Sequence, residues 1–214
     1  MSEFILGVDL DAVCADYNSA LREVAAVELG VPIETLTTEA GWDFGEWGLD
    51  RDGFLALHRT AVQQHRIFRD MPAVSGASDS LWRLSDAGVW IRVITHRLVT
   101  NWGHALIVSD TVEWLDSRRI PYRDLCFLGR KPEVQADAYI DDAPHNIDAL
   151  RASGNRVIVF DQPYNRHMDA PRASSWDQVE LLVAQFVAEG GGAFAGQLPG
   201  LDAGADRLDR RKHG

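Results

Sequence analysis

Six side chains of this sequence could do ionic chemistry together: Asp9 and Asp11 in GVDLDAVCAD, Thr95 in VITHR, Lys131 in FLGRKPE, and Asp141 with Asp142 in YIDDAPHN. Each group follows a short apolar run of the kind that makes a strand buried on both faces. Residues at the ends of parallel strands collect at one edge of a sheet, however far apart they lie in the chain. Four carboxylates gathered there repel one another unless a cation intervenes, and hard oxygen ligands in a partly hydrated site suit Mg²⁺. With Lys131 and Thr95 beside the ion, the chemistry to expect is the binding of a phosphoryl group, whose peripheral oxygens need cationic and hydrogen-bonding partners.

The runs that must position these groups are Phe4 to Val8, Trp90 to Ile94, Leu125 to Leu128, Ala138 to Ile140 and Arg156 to Phe160. Helical patterns fall between the later ones: Ala77 to Ala87, ending at Gly88; Gly103 to Arg119; and Ala143 to Ser153, ending at Gly154. Alternation of this kind predicts right-handed βαβ units and a doubly wound α/β parallel sheet. Residues 18–75 break the alternation, being far longer than a strand-to-helix connection. They hold two helical patterns, Ala20 to Leu29 before Gly30 and Arg51 to His65 entered through Asp50. The organisation expected is a core of residues 1–17 and 76–189, a small helical cap of residues 18–75 inserted after the first strand, and a flexible Gly-rich tail from 190 to 214.

Composition narrows the partners. The 214 residues are 46% hydrophobic, enough for a buried core, and carry a net charge of -11. That charge disfavours a nucleic-acid polymer or an anionic membrane, both of which need clustered Lys and Arg. Cys14 and Cys126 stand in apolar stretches without zinc or redox spacing and read as buried thiols of a reducing compartment. The start, MSEFILGVDLDA, has no basic segment followed by a long apolar one, and no run approaches the roughly 18 apolar residues of a membrane helix. A cytoplasmic protein acting on a small phosphorylated substrate is the expectation, with a homodimer compatible.

The order Asp-x-Asp, Thr, Lys, Asp-Asp, each at a strand end, resembles the four motifs of the haloacid dehalogenase superfamily of phosphotransferases. Within it, GVDLDAVCADY, WDFGEWGL, FRDMPAVSGASDSLWRL, VITHR, YIDDAPHNI and VIVFDQPYN resemble the 5′(3′)-deoxyribonucleotidase family, the cytosolic nucleotidase type C group and its bacterial relatives. The similarity runs from about Phe4 to Asn165. It implies that Asp9 is a nucleophile forming an aspartyl-phosphate. Asp11 would protonate the leaving alkoxide, activate water, and lend its backbone carbonyl to Mg²⁺. Thr95 and Lys131 would hold phosphoryl oxygens, and Asp141 and Asp142 would join Asp9 and Asp11 around the metal, with their individual parts left open. The substrate implied is a nucleoside monophosphate. Tyr17 matches an aromatic position that stacks on the base, and the cap aromatics Trp42, Phe44 and Trp47 could sandwich it. For all four, packing within the core or cap is the competing reading.

Two departures from the family pattern bear on the site. Ala12 stands where a glycine is usual, which makes the turn less permissive. His96 and Arg97 follow Thr95 in place of a small hydroxyl residue, and Arg97 could take a phosphoryl group in a bidentate manner. Asp16 reads equally as a helix N-cap, and His58, His65, His104, His145 and His167 read as structural. Other functions to weigh are a phosphatase of sugar phosphates, a phospho-acceptor signalling module and a non-catalytic binder. A signalling module would carry its acceptor after a later strand and lack the insert.

Overall fold

The computed structural model describes residues 4–100 and 102–192. Six strands form one all-parallel sheet: β1 (Ile5–Val8), β2 (Trp90–Thr95), β3 (Asp124–Phe127), β4 (Ala138–Asp141), β5 (Val157–Phe160) and β6 (Arg172–Ala173), in the order β3-β2-β1-β4-β5-β6. This is the doubly wound α/β sheet that the strand and helix alternation predicts. The order reverses between β1 and β4, which pair as Gly7 with Tyr139 and Val8 with Ile140. Ligands of open α/β sheets bind outside the strand ends at such a reversal. Gly7 is required by packing rather than by backbone freedom: a Cβ there would meet Tyr139 Cδ1 at 2.8 Å and Ile94 Cδ1 at 2.9 Å.

The helices are α1 (Tyr17–Leu29), α2 (Arg51–Gln63), α3 (Ile67–Asp70), α4 (Ala77–Asp86), α5 (His104–Ser117), α6 (Pro144–Ala152) and α7 (Trp176–Glu189). Asp16 caps α1 by accepting from the Ser19 amide at 3.3 Å, so the helix starts three residues before the expected Ala20. The far end stops at Gly30, whose φ of 64° is the left-handed conformation that glycine takes without strain. Asp50 caps α2 in the same way, accepting from the Gly53 amide at 2.7 Å. Three elements were not anticipated: α3, β6 and α7. Two of these are too short to carry a periodic signal, whereas α7 buries Trp176, Val179, Val183, Phe186 and Val187 at helical spacing.

The expected boundary after residue 17 falls inside the first turn of α1. Ala20, Leu21, Val24 and Ala25 of that helix belong to the same apolar cluster as Leu6 and Val8 of β1. Gly190 to Gly192 follow α7, and the rest of the expected tail lies outside the described residues. Among the described residues, no helix is long and apolar enough to cross a membrane.

Candidate active site

The loop leaving β1 is a tight turn in which the amides of Cys14 and Ala15 both donate to the Leu10 carbonyl at 2.8 Å. Trp176 Nε1 donates to the Val13 carbonyl at 3.0 Å and Gln162 Nε2 to the Ala12 carbonyl at 2.8 Å, so later segments fasten the loop to the sheet. Ala12 has φ 59°. It adopts the left-handed conformation where glycine would be unstrained, and an L-residue there costs about 1 to 2 kcal/mol.

Asp9 and the Asp141/Asp142 pair flank the β1/β4 reversal, and their carboxylate oxygens lie within 4.8 Å of one another, all three residues being buried. Lys131, at the start of a 3-10 turn that holds Pro132, is 2% exposed and places Nζ 2.8 Å from Asp9 Oδ1 and 2.6 Å from Asp141 Oδ2. Asp141 Oδ1 accepts from the Ala143 amide at 3.0 Å and from Asn146 Nδ2 at 3.3 Å. Asp142 accepts from the Tyr164 hydroxyl. Burial pushes the Asp9 carboxyl up to about 7; Lys131 pulls against it, while Asp141 and Asp11 push with it. Asp142 is raised well above the carboxylate range, first by burial and then by Asp9 and Asp141. Burial alone would lower the Lys131 ammonium, but Asp141 and Asp9 outweigh it and hold it above its ordinary value. One ammonium among three buried carboxylates leaves negative charge uncompensated.

Asp11 points elsewhere. Its two oxygens accept from Arg97, Oδ1 from Nη2 at 2.6 Å and Oδ2 from Nε at 3.1 Å. Its carboxylate is therefore separate from the acidic cluster, and Arg97 is not free to bind phosphate as the sequence suggested. The reason is burial: Arg97's side chain is 1% exposed, and a guanidinium so enclosed needs a carboxylate partner. Thr95 is also buried, its Oγ1 accepting from the Arg97 amide at 3.4 Å. His96 reaches the cleft with an Nε2 that is buried and makes no hydrogen bond. Burial first and Lys131 second lower its imidazole to about 4, so it meets a ligand neutral.

A cleft of about 290 Å³ opens above Asp9 and Asp142. Its walls include Tyr17, Trp42, Phe44, Phe54, His58 and Phe68. Trp42, 49% exposed, meets His145 and Tyr164 edge to face at 5.3 and 5.1 Å between ring centroids, bridging the insert to the segments after β4 and β5. Phe44 stacks on Phe54 at 5.5 Å. Trp47 does not reach the cleft: it is buried against Phe44 and donates Nε1 to the Thr37 carbonyl at 2.9 Å, so its part is packing. The cleft also holds Phe54, Phe68, Tyr164 and Asn146, which the sequence did not single out, and His58 and His145, which it read as structural. Tyr164 and Asn146 sit in VIVFDQPYN and YIDDAPHNI, two stretches that carried the resemblance, and that was the available signal. The helical insert offered none, since phenylalanines there read equally as core.

The family model described as "5' nucleotidase, deoxy (Pyrimidine), cytosolic type C protein" matches residues 3–189. The chain belongs to this nucleotidase family. A Chlorobaculum tepidum protein named "Putative 5'(3')-deoxyribonucleotidase" is 44% identical over 187 residues, covering 87% of this chain and 93% of that one. A Bacillus subtilis protein named "5'(3')-deoxyribonucleotidase" is 29% identical over 86 residues, 39% of this chain and 48% of its own length. Among solved structures, a HAD-superfamily hydrolase of Geobacter sulfurreducens aligns with TM-score 0.52 at 14% identity, over 85% of this chain and 96% of that one. A HAD family hydrolase of Deinococcus radiodurans, solved with bound phosphate and sodium, gives the same TM-score and identity over 86% and 96%. These likenesses carry the fold; the family carries the reaction class. This member of the cytosolic type C nucleotidase family is a hydrolase of phosphoric monoesters.

The nucleotidase's donor set suits a divalent cation. Asp9, Asp141 and Asp142 offer three hard oxygen ligands at mutual distances a single ion can span, and the raised Asp9 and Asp142 carboxyls mark the excess negative charge such an ion would offset.

Proposed function

We propose that the protein is a Mg²⁺-dependent phosphomonoesterase that dephosphorylates (deoxy)nucleoside monophosphates through an aspartyl-phosphate on Asp9. The observation that carries this reading is the junction of two unlike surfaces, an acidic floor of Asp9 and Asp142 and walls of Tyr17, Trp42, Phe44, Phe54 and Phe68. A nucleotide has the same two ends, a phosphate and a flat ring system. A sugar phosphate would leave the aromatic faces unused.

Asp9, Asp141 and Asp142 would hold the ion, which when bound neutralises charge on the phosphoryl oxygens. An Asp9 oxygen forms a bond to phosphorus as the ester P–O bond breaks, and Asp11 gives its proton to the departing alkoxide. Asp11, then a carboxylate, takes a proton from water, whose oxygen attacks the same phosphorus; the bond to Asp9 breaks and inorganic phosphate leaves. Lys131, already against Asp9, offsets the repulsion between that carboxylate and the incoming phosphate. Thr95 would assist on a phosphoryl oxygen. In this reading residues 18–75 act as the cap, Tyr17, Trp42 and Phe44 face the base, and His96 serves as a neutral hydrogen-bonding group. A cytosolic location belongs to the same proposal, supported by two free cysteines and the family's own description.

Phosphate release from thymidine, deoxyuridine and adenosine 5′-monophosphates and from glucose 6-phosphate, measured with Mg²⁺, tests the substrate class. A kcat/KM at least about tenfold higher for a nucleotide is expected, since a desolvated ring contact is worth more than a factor of ten. Equal or faster turnover of the sugar phosphate would overturn it.

A further inference from the structure

The Arg97 side chain is clamped on three sides. Nε and Nη2 bind the two oxygens of Asp11 at 3.1 and 2.6 Å, and Nη1 donates to Thr111 Oγ1 at 3.1 Å. Thr111 itself donates to the Ile107 carbonyl of α5 at 2.7 Å, which fixes the orientation of its hydroxyl. The guanidinium carbon sits 4.3 Å from the centroid of the Phe68 ring, on α3, a cation over an aromatic face. Both residues line the cleft, but Arg97 is 1% exposed at its side chain while Asp11, its partner, is 28% exposed. The contact therefore runs from a rigid, enclosed cation to a carboxylate at the surface where substrate arrives. A fork of two parallel N–H groups fixes the plane of a carboxylate as well as its place.

We propose that Arg97 is a positioning residue for Asp11: it holds that carboxyl apart from the Asp9, Asp141 and Asp142 cluster and aimed into the cleft where the leaving oxygen departs. This rests on the assignment of Asp11 as the proton donor of a phosphomonoesterase. Two forces act on the Asp11 side chain, attraction to any cation held by the acidic cluster and attraction to Arg97. The fork settles the competition in favour of Arg97 and leaves three carboxylates for the ion. A protonated Asp11 keeps one oxygen free of hydrogen to accept from Arg97 while its O–H turns to the substrate, so one arm of the fork still steers the donor through the step. Thr111 and Phe68 contribute by preventing the guanidinium from following any other anion, including the substrate phosphate.

Loss of a proton donor's aim matters in proportion to how poor the leaving group is. An alkoxide needs the proton as it departs, whereas a nitrophenolate leaves without it. The experiment measures kcat and KM for thymidine 5′-monophosphate and for p-nitrophenyl phosphate, in wild type, Arg97→Gln, Arg97→Lys and Thr111→Val. Because Asp11 also activates the water in the second step, which both substrates share, the readout is kcat/KM, which reports the first step alone. Arg97→Gln is expected to lower kcat/KM on the nucleotide about a hundredfold, the scale of general acid catalysis. On p-nitrophenyl phosphate the loss in kcat/KM should stay under about tenfold. Arg97→Lys, which keeps charge but not the fork, should fall between. Thr111→Val preserves shape and charge and should show the same leaving-group dependence in weaker form, which keeps the test open if Arg97→Gln does not fold. Equal losses of kcat/KM on both substrates, or no loss, would overturn the positioning role. Wild-type protein inactive on both substrates would instead overturn the phosphomonoesterase reading beneath it.

Discussion

Tyr17 and His58 meet edge to face, their ring centroids 5.6 Å apart, in the wall of the cleft. Tyr17 opens α1 and His58 lies on α2, so the contact joins the first helix after the β1 loop to the second helix of the insert. His58 also touches Phe54, Phe68 and Trp102 and has a buried Nε2 without a hydrogen bond. Burial lowers its imidazole to about 4.

Stability should therefore fall in mild acid. The ring takes up its proton more readily in the unfolded chain, near the ordinary 6.5, than in the folded one, near 4. Its contribution is complete above pH about 6.5 and is lost as pH drops from there toward 4, by about 3 kcal/mol in all. Urea unfolding between pH 4 and 7.5 checks this. His58→Phe should flatten the slope, and an unchanged slope would exclude His58 as its source.

Divalent cations should stabilise the fold through the acidic cluster. Free Mg²⁺ a hundredfold above its dissociation constant adds about 2.7 kcal/mol, which for a domain of this size raises Tm by roughly 5 to 10 °C. Chelator should reverse the shift. Asp141→Asn and Asp142→Asn should each abolish it in thermal melts, and a shift that survives both substitutions would place the ion elsewhere.

The two cap tryptophans should part company. Trp42→Ala is expected to raise KM for nucleotides about tenfold or more, the worth of one aromatic stack, and to leave glucose 6-phosphate little affected. Trp47→Phe deletes the indole bond to the Thr37 carbonyl and part of a buried ring, and should cost about 2 to 3 kcal/mol of stability, with KM within about twofold of wild type. Steady-state kinetics beside denaturant melts separates the two, and a KM change at Trp47 would return that residue to the cleft.

Asp9→Asn should remove turnover of every phosphomonoester while leaving a folded protein. The substitution takes charge out of a buried, self-repelling group, and Asp141 still holds Lys131 at 2.6 Å. A melt in chelator should therefore show a Tm no lower than that of wild type. Residual activity above about a thousandth of wild type would deny Asp9 the nucleophile's role.

Gly7→Ala should destabilise by about 1 to 3 kcal/mol, the range for overpacking a close-packed interior. The added methyl would press on Tyr139 and Ile94, both buried side chains of neighbouring strands. Denaturant midpoints would show it; a neutral result would mean that the two side chains relax freely.

The floor of the site was legible because Asp9 ends the apolar stretch FILGV and the Asp141/Asp142 pair ends AYI, and strand ends converge whatever their separation in the chain. Asp9, Asp141 and Asp142 could be placed together on that ground alone. The walls were less legible: Trp42 and Trp47 lie five residues apart in one aromatic stretch, and only the path of the 3-10 turn Gly45–Trp47 sends one to the cleft and the other inward. Arg97 misled for a related reason. A cation two residues after a Thr at a strand end looks available, but its direction depends on α5 supplying Thr111 and α3 supplying Phe68, neither of which is local in sequence.

The pairing of β1 with β4, Gly7 beside Tyr139, joins the beginning of the chain to a strand that arrives only after the insert, β2, α5 and β3 have been traversed. Such a contact closes a long loop and forms slowly compared with local helices. On the ribosome, Asp9 emerges early and has no acidic neighbours until Asp141 and Asp142 follow it out. The acidic floor is thus an assembly event of late folding, and a chain arrested before β4 can hold much of its helical insert and half of its sheet without the Asp9, Asp141 and Asp142 cluster.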